Sequence, residues 1–208
     1  DELVLYNSGD ASGMYESGKM LILQDNEGEY WIYSGDKKLP LYDNPFALNA
    51  ENRVSCVTTN GDKVYYQVDE NINGNKLVKF YELNTESMER KIIFTKNVFM
   101  YDSDSYLDIN RRIVTPDTKD FFGCMLEFAT DDFIIYRNGY DIIFYDRAAE
   151  KEKKILERED NLCIYKGKIC YTNQQGYIME YDFETDTSHT VLEEFAAKYQ
   201  ICNGRIVY

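Results

Sequence analysis

Histidine is nearly missing from this chain of 208 residues: His189 is the single one. A Ser-His-Asp or Cys-His catalytic arrangement would therefore rest wholly on that residue. Five cysteines contain no C-x-x-C pair, so a zinc site of usual composition lacks its ligands. No P-loop, dinucleotide fingerprint or H-E-x-x-H occurs, and no cofactor is implied. Basic residues are scarce, with 23 Lys and Arg against 37 Asp and Glu and a net charge of −14. That balance excludes a nucleic-acid partner, which needs a Lys/Arg surface, and disfavours anionic lipid. No apolar run approaches the roughly 18 to 20 residues of a membrane-spanning helix, so no membrane insertion is expected of this segment. Proline (3) and tryptophan (1) are rare as well.

What the chain has in excess is aromatic: 19 Tyr and 11 Phe. They fall in short runs of period two, such as Lys63-Val64-Tyr65-Tyr66-Gln67-Val68 and Phe133-Ile134-Ile135-Tyr136, which is strand chemistry. The runs repeat. A turn dipeptide precedes a strand at Ser17-Gly18, Asn60-Gly61, Asp131-Asp132, Lys166-Gly167 and Asn203-Gly204, where Gly, Asn and Asp tolerate the positive φ of a tight hairpin. A following strand ends in Tyr plus a polar residue at Tyr33, Tyr81, Tyr145 and Tyr181. Then comes a basic or polar step into aliphatics: Lys37-Lys38-Leu39, Arg90-Lys91-Ile92, Lys153-Lys154-Ile155 and His189-Thr190-Val191. One more apolar strand leads into each turn, at residues 55–57, 124–128, 162–165 and 200–202.

Four strands per unit at a period near 40 residues is the sign of propeller blades. The sequence predicts an all-β fold, a β-propeller or propeller-like array of about five to six short four-stranded antiparallel blades in one domain, 1–208. A gap of two periods places a degenerate unit near Lys96. The strand Glu2–Tyr6 is expected to complete the blade that Tyr208 leaves unfinished, the alternative being that the chain is a fragment of a larger ring. Both ends read as cut, at Asp1 and Tyr208. The Ala148–Arg158 segment reads as turn plus outer strand, and Leu192–Lys198 as a short helix between blades.

The phrases Gly-Lys-Ile-Cys-Tyr-Thr (167–172), Tyr-Ile-Met-Glu-Tyr-Asp-Phe-Glu-Thr (177–185) and Gly-Asp-Lys-Val-Tyr-Tyr (61–66) resemble the β-propeller repeats of exported bacterial proteins. These include domains of unknown function similar to the LDL-receptor YWTD propeller. No Tyr-Trp-Thr-Asp occurs; Tyr30-Trp31-Ile32-Tyr33 is the nearest approach. The resemblance implies an exported scaffold or ligand-binding protein and no particular ligand.

Asp69, Asn71 and Asn73, followed by Gly74, match the opening of a calcium loop, but position twelve is Phe80 and supplies no bidentate ligand. A plain hairpin loop is the preferred reading. Asp102, Asp104 and Asp108 form a second acidic cluster without a turn glycine. Glu127, and after it Glu16, are inner-strand acids of the kind a propeller glycosidase uses. Neither has an identifiable partner. Cys163 and Cys170 face each other if Lys166-Gly167 is a two-residue turn, and they read as small buried thiols. The recurring tyrosines read as packing between blades, which leaves Tyr106 and Tyr140 for recognition. The chain is expected to be a non-enzymatic binding or interaction module of a bacterial cell-surface or secreted protein. A protein or carbohydrate ligand would sit on the propeller face. The alternatives are a carbohydrate-active enzyme with a central carboxylate site and the extracellular sensor domain of a membrane-anchored regulator.

Overall fold

The computed structural model describes residues 13–17, 20–25, 29–34, 37–42, 53–72, 75–98, 106–107, 113–115, 118–121, 124–157, 160–165, 168–183, 185–202 and 205–208. Among them there is no helix; every regular element is a strand. Four antiparallel meanders carry the architecture. The first comprises β1 (Gly13–Ser17), β2 (Met20–Gln24), β3 (Tyr30–Ser34) and β4 (Lys37–Pro40). The second comprises β5 (Arg53–Asn60), β6 (Lys63–Ile72), β7 (Asn75–Asn84) and β8 (Arg90–Val98). Three short strands follow, β9 (Tyr106–Leu107), β10 (Ile113–Thr115) and β11 (Thr118–Phe121). The third meander is β12 (Cys124–Ala129), β13 (Phe133–Asn138), β14 (Asp141–Asp146) and β15 (Lys151–Glu157). The fourth is β16 (Asp160–Tyr165), β17 (Lys168–Thr172), β18 (Ile178–Asp182) and β19 (Thr187–Leu192). A hairpin of β20 (Gln200–Cys202) and β21 (Arg205–Val207) opens a further unit. The expected all-β propeller-type array is present, in six sheets.

Middle strands are buried on both faces, and their alternation sorts side chains into separate cores. Val64, Tyr66, Val68 and Leu83 pack toward the first blade with Ile22, Ile32 and Leu41. Tyr65, Val78 and Phe80 pack toward the third with Leu126, Ile134 and Tyr136. Ile135 and Ile142 of the third blade meet Ile169, Tyr171 and Tyr181 of the fourth. Of the repeated tyrosines expected to pack between blades, Tyr145 does so directly and Tyr181 does so in the core shared with Ile135 and Ile142, while Tyr81 stacks within its own blade. Tyr81 stacks on Tyr66 at 5.2 Å, Tyr145 meets Phe94 of the preceding blade at 4.8 Å, and Tyr181 stands edge-on to Phe183.

The link from third to fourth strand is also a repeat. Asn84 Oδ1 accepts the backbone N–H of Glu86 and Ser87, Asp146 Oδ1 those of Ala148 and Ala149, and Asp182 Oδ1 that of Thr185. Four residues after each, Met88, Glu150 and Asp186 take φ of 60°, 52° and 56°. The turn former is the acid right after the tyrosine in the third and fourth blades and Asn84, three residues after Tyr81, in the second.

Two expectations need correction. Lys96–Val98 finish β8, so the degenerate unit does not begin there; among the described residues it shows the three strands β9, β10 and β11. The blades on either side of it pack directly against each other through Tyr65, Phe80, Leu126 and Tyr136, so β9–β11 does not stand between them. The second concerns 192–198, which is irregular beyond Leu192 and not helical. Ala196 N–H donates to Gly176 O at 2.9 Å, and the Phe195 ring covers Gly176. These contacts with the fourth blade replace the local bonds a helix would need. The Glu2–Tyr6 strand lies outside the described residues.

Candidate functional site

The first strands of the second, third and fourth blades share an irregularity. Register shifts occur between Val54 and Cys56 in β5, between Leu126 and Phe128 in β12, and between Asp160 and Cys163 in β16. Such bulges bend a strand and re-aim a side chain. The residue skipped in β12 is Glu127, the inner-strand acid singled out from sequence. Arg137 Nε donates to Glu127 Oε1 at 2.9 Å, and both side chains are about four-fifths buried, at 18% and 19% exposure.

A cavity of about 210 Å³ opens here, lined by Thr58 of β5, Glu127 and Phe128 of β12, Ile135, and Leu162, Cys163 and Ile164 of β16. Three successive blades therefore contribute to one wall. Phe128, Ile135, Leu162 and Ile164 bring apolar residues to the lining, and Thr58, Cys163 and the Arg-held Glu127 bring a hydroxyl, a thiol and a carboxylate. Glu127 is the one carboxylate in that lining. Held by Arg137, that carboxylate is placed to accept hydrogen bonds.

The walls of the cavity are locked by Gln67, which is 2% exposed. Its Oε1 accepts the N–H of Leu126 at 2.7 Å, while Nε2 donates to Cys124 O at 2.9 Å and to Asp69 Oδ1 at 2.7 Å. One amide of the second blade so holds the stretch of β12 that leads into the bulge. No sequence motif marks Gln67, although it is a polar residue inside the apolar run Val64–Val68. Beside it, burial pushes the Cys56 thiol up to about 11, Ser55 opposing and Glu127 and Asp69 adding to the rise.

A second polar cluster joins the same blades at the turn end. Glu82, 3% exposed, takes Lys91 at 2.9 Å, Arg147 at 3.0 Å and Lys63 at 3.2 Å. Lys63 also pairs with Asp131. Burial works against ionising Glu82, but hydrogen bonds from Lys91, Lys63 and Arg147 outweigh it and hold its carboxyl below the usual range. Lys168 repeats the pattern in the fourth blade, on Glu180 at 2.7 Å and Asp182 at 3.5 Å.

The remaining candidates are dispersed. Asp69 and Asn71 lie in β6, inside a ladder running from Lys63↔Asn84 to Ile72↔Asn75, the hairpin preferred for this segment. Asn73 lies outside the described residues, as do Asp102, Asp104 and Asp108. Among the described residues no group of three or more His, Cys, Asp and Glu is placed to hold a metal ion. His189 stands on outer strand β19, exposed, with Nε2 3.4 Å from Glu180. Glu16 is on β1 and Tyr106 on β9, their side chains outside the described set. Tyr140 is half-buried with its hydroxyl oxygen shielded.

No protein-family model matches the chain, and no curated protein matches it. Solved structures share its fold. An oligogalacturonate lyase in complex with manganese superposes with a TM-score of 0.53 at 9% identity, over 83% of this chain and 50% of that one. The tricorn protease gives 0.51 at 14% identity, over 90% of this chain and 17% of that one. This chain spans half the length of the lyase and less of the protease, and the likeness is one of fold.

Proposed function

We infer that the chain is a non-enzymatic binding module that receives its ligand at the inner-strand cavity around Glu127. The observation that carries this reading is the convergence of Thr58, Glu127 and Leu162–Ile164 from three blades on one cavity, with the carboxylate fixed by Arg137. Size narrows the ligand. Pockets that engulf a drug-sized molecule run to roughly 300–1,000 Å³, and about 210 Å³ is enough for one sugar ring or one side chain of something larger. A partly buried carboxylate beside Phe128 accepts hydroxyl or amide N–H donors while Phe128, Leu162 and Ile164 offer apolar contact to the ring or chain. The exported bacterial setting rests on the resemblance of the 61–66, 167–172 and 177–185 phrases to exported propeller repeats.

The test is a glycan array and a peptide array probed with the protein and with Thr58→Phe, which fills the cavity without touching Glu127. Loss of a specific signal in the filled variant supports the assignment; an unchanged signal refutes the site. Bound ligand should be recovered intact. Cleavage that Glu127→Gln abolishes would replace the binding module with a carbohydrate-active enzyme.

A further inference from the structure

The cavity wall includes a thiol that the sequence assigns to packing, and its surroundings differ from those of the other cysteines. Cys163 and Cys170 are direct register partners across β16 and β17. Tyr165↔Lys168 flanks a two-residue connection, so by alternation the cysteines occupy a hydrogen-bonded pair. Such partners lie about 5.5 Å apart at Cα, within the span a disulfide closes. Cys170 is buried, whereas Cys163 is half-buried and lines both the inner cavity and a second one of about 480 Å³ with Tyr199, Lys198 and Tyr208. Tyr199 Oη lies 3.5 Å from Cys163 Sγ. The bulge before Cys163, with Asn161 at φ 50° and its amide donating to Thr172 Oγ1 and Ala197 O, fixes this stretch of β16.

We propose that Cys163 and Cys170 form a peroxide-responsive dithiol, Cys163 the attacking thiol and Cys170 the resolving one. The electrostatics agree: the Cys170 thiol donating to Cys163, ahead of opposing burial and with help from Tyr199, holds the Cys163 thiol below its ordinary range. Cys170 is pushed up by the same contact. In the first step the Cys163 thiolate attacks a hydroperoxide. An S–O bond forms, the O–O bond breaks, and the alcohol or water leaves with a proton. In the second the Cys170 sulfur attacks Cys163 Sγ, the S–O bond breaks, and water leaves carrying the Cys170 proton. Two thiols lose two electrons and the hydroperoxide gains them. A disulfide in a hydrogen-bonded pair is less relaxed than one in the alternate register, which favours ready reduction by a dithiol.

The wild-type chain suffices for the test. At pH 7 Cys163 should react with iodoacetamide at least about tenfold faster than Cys56, whose thiol burial keeps protonated. One equivalent of hydrogen peroxide should remove two titratable thiols. Trypsin cuts after Lys166 and Lys168, so the disulfide should hold together two peptides that otherwise separate, and dithiothreitol should release them. In Cys170→Ala, Cys163 should stop at the sulfenic acid and be trapped by dimedone. Equal alkylation of Cys163 and Cys56, or peroxide treatment of the folded protein that leaves these peptides unlinked, overturns the proposal. Neither outcome bears on the cavity-filling test of ligand binding.

Discussion

Replacing Gln67 by Leu isolates what one amide contributes to the contact between the second and third blades. The side chain keeps nearly the same volume and loses three hydrogen bonds, those to Leu126 N–H, Cys124 O and Asp69. The two backbone groups of β12 are buried at the bulge and gain no water in exchange. Each unpaired buried group costs about 1–3 kcal/mol, and the added apolar burial returns about 1–2 kcal/mol. The net loss should be about 2–4 kcal/mol, a large share of a domain stability of about 5–15 kcal/mol. Urea titration should show a lower midpoint at unchanged slope, and the melting temperature should fall by roughly 5–12 °C for a chain of this size. Gln67→Glu provides an internal check. It retains the acceptor for Leu126 but sets a carboxylate against Cys124 O and Asp69, so its deficit should shrink as pH falls and the new carboxyl protonates. A Leu variant within 0.5 kcal/mol (about the scatter of surface substitutions) would refute the claim that this amide joins the blades.

Other outcomes follow from the same geometry. Tyr65 is fully buried and its hydroxyl finds no partner among the described residues, so Tyr65→Phe should be neutral or stabilise by about 1 kcal/mol in urea titration. Glu150 is exposed at φ 52°, and Glu150→Gly should raise the midpoint by about 0.5 kcal/mol equivalent, since glycine adopts that conformation without strain. The folded state holds the Glu82 carboxyl below its ordinary value of 4.5. Its contribution is therefore complete above that value and is lost as pH falls through the lower folded one; midpoints measured from pH 6 to 2 should drop, less steeply in Glu82→Gln.

The repeat was legible because blade geometry uses residue types that announce themselves. Gly61 with φ 61° marks one hairpin, and the tyrosine before Glu82, Asp146 and Asp182 marks the third strand of three blades. The Cys163↔Cys170 register also followed from turn length alone. Glu127 was visible as an acid in an apolar strand, but its partner Arg137 was not. Their pairing depends on a bulge, and a bulge breaks the alternation from which cross-strand partners are counted. The two-period gap rightly held a degenerate unit, but spacing alone set its start at Lys96, inside β8. The helix expected at 192–198 failed because local propensity is small beside the Gly176 contacts.

The two-sided middle strands invert the usual relation between nearness in sequence and nearness in energy. Tyr65 and Tyr66 are covalent neighbours, yet one belongs to the interface with the third blade and the other to that with the first. A double-mutant cycle between them should return little coupling, while Gln67 and Leu126, 59 residues apart, should be strongly coupled. Substitutions in this chain will interact blade by blade, so tolerance at one position of β6 carries no information about the next.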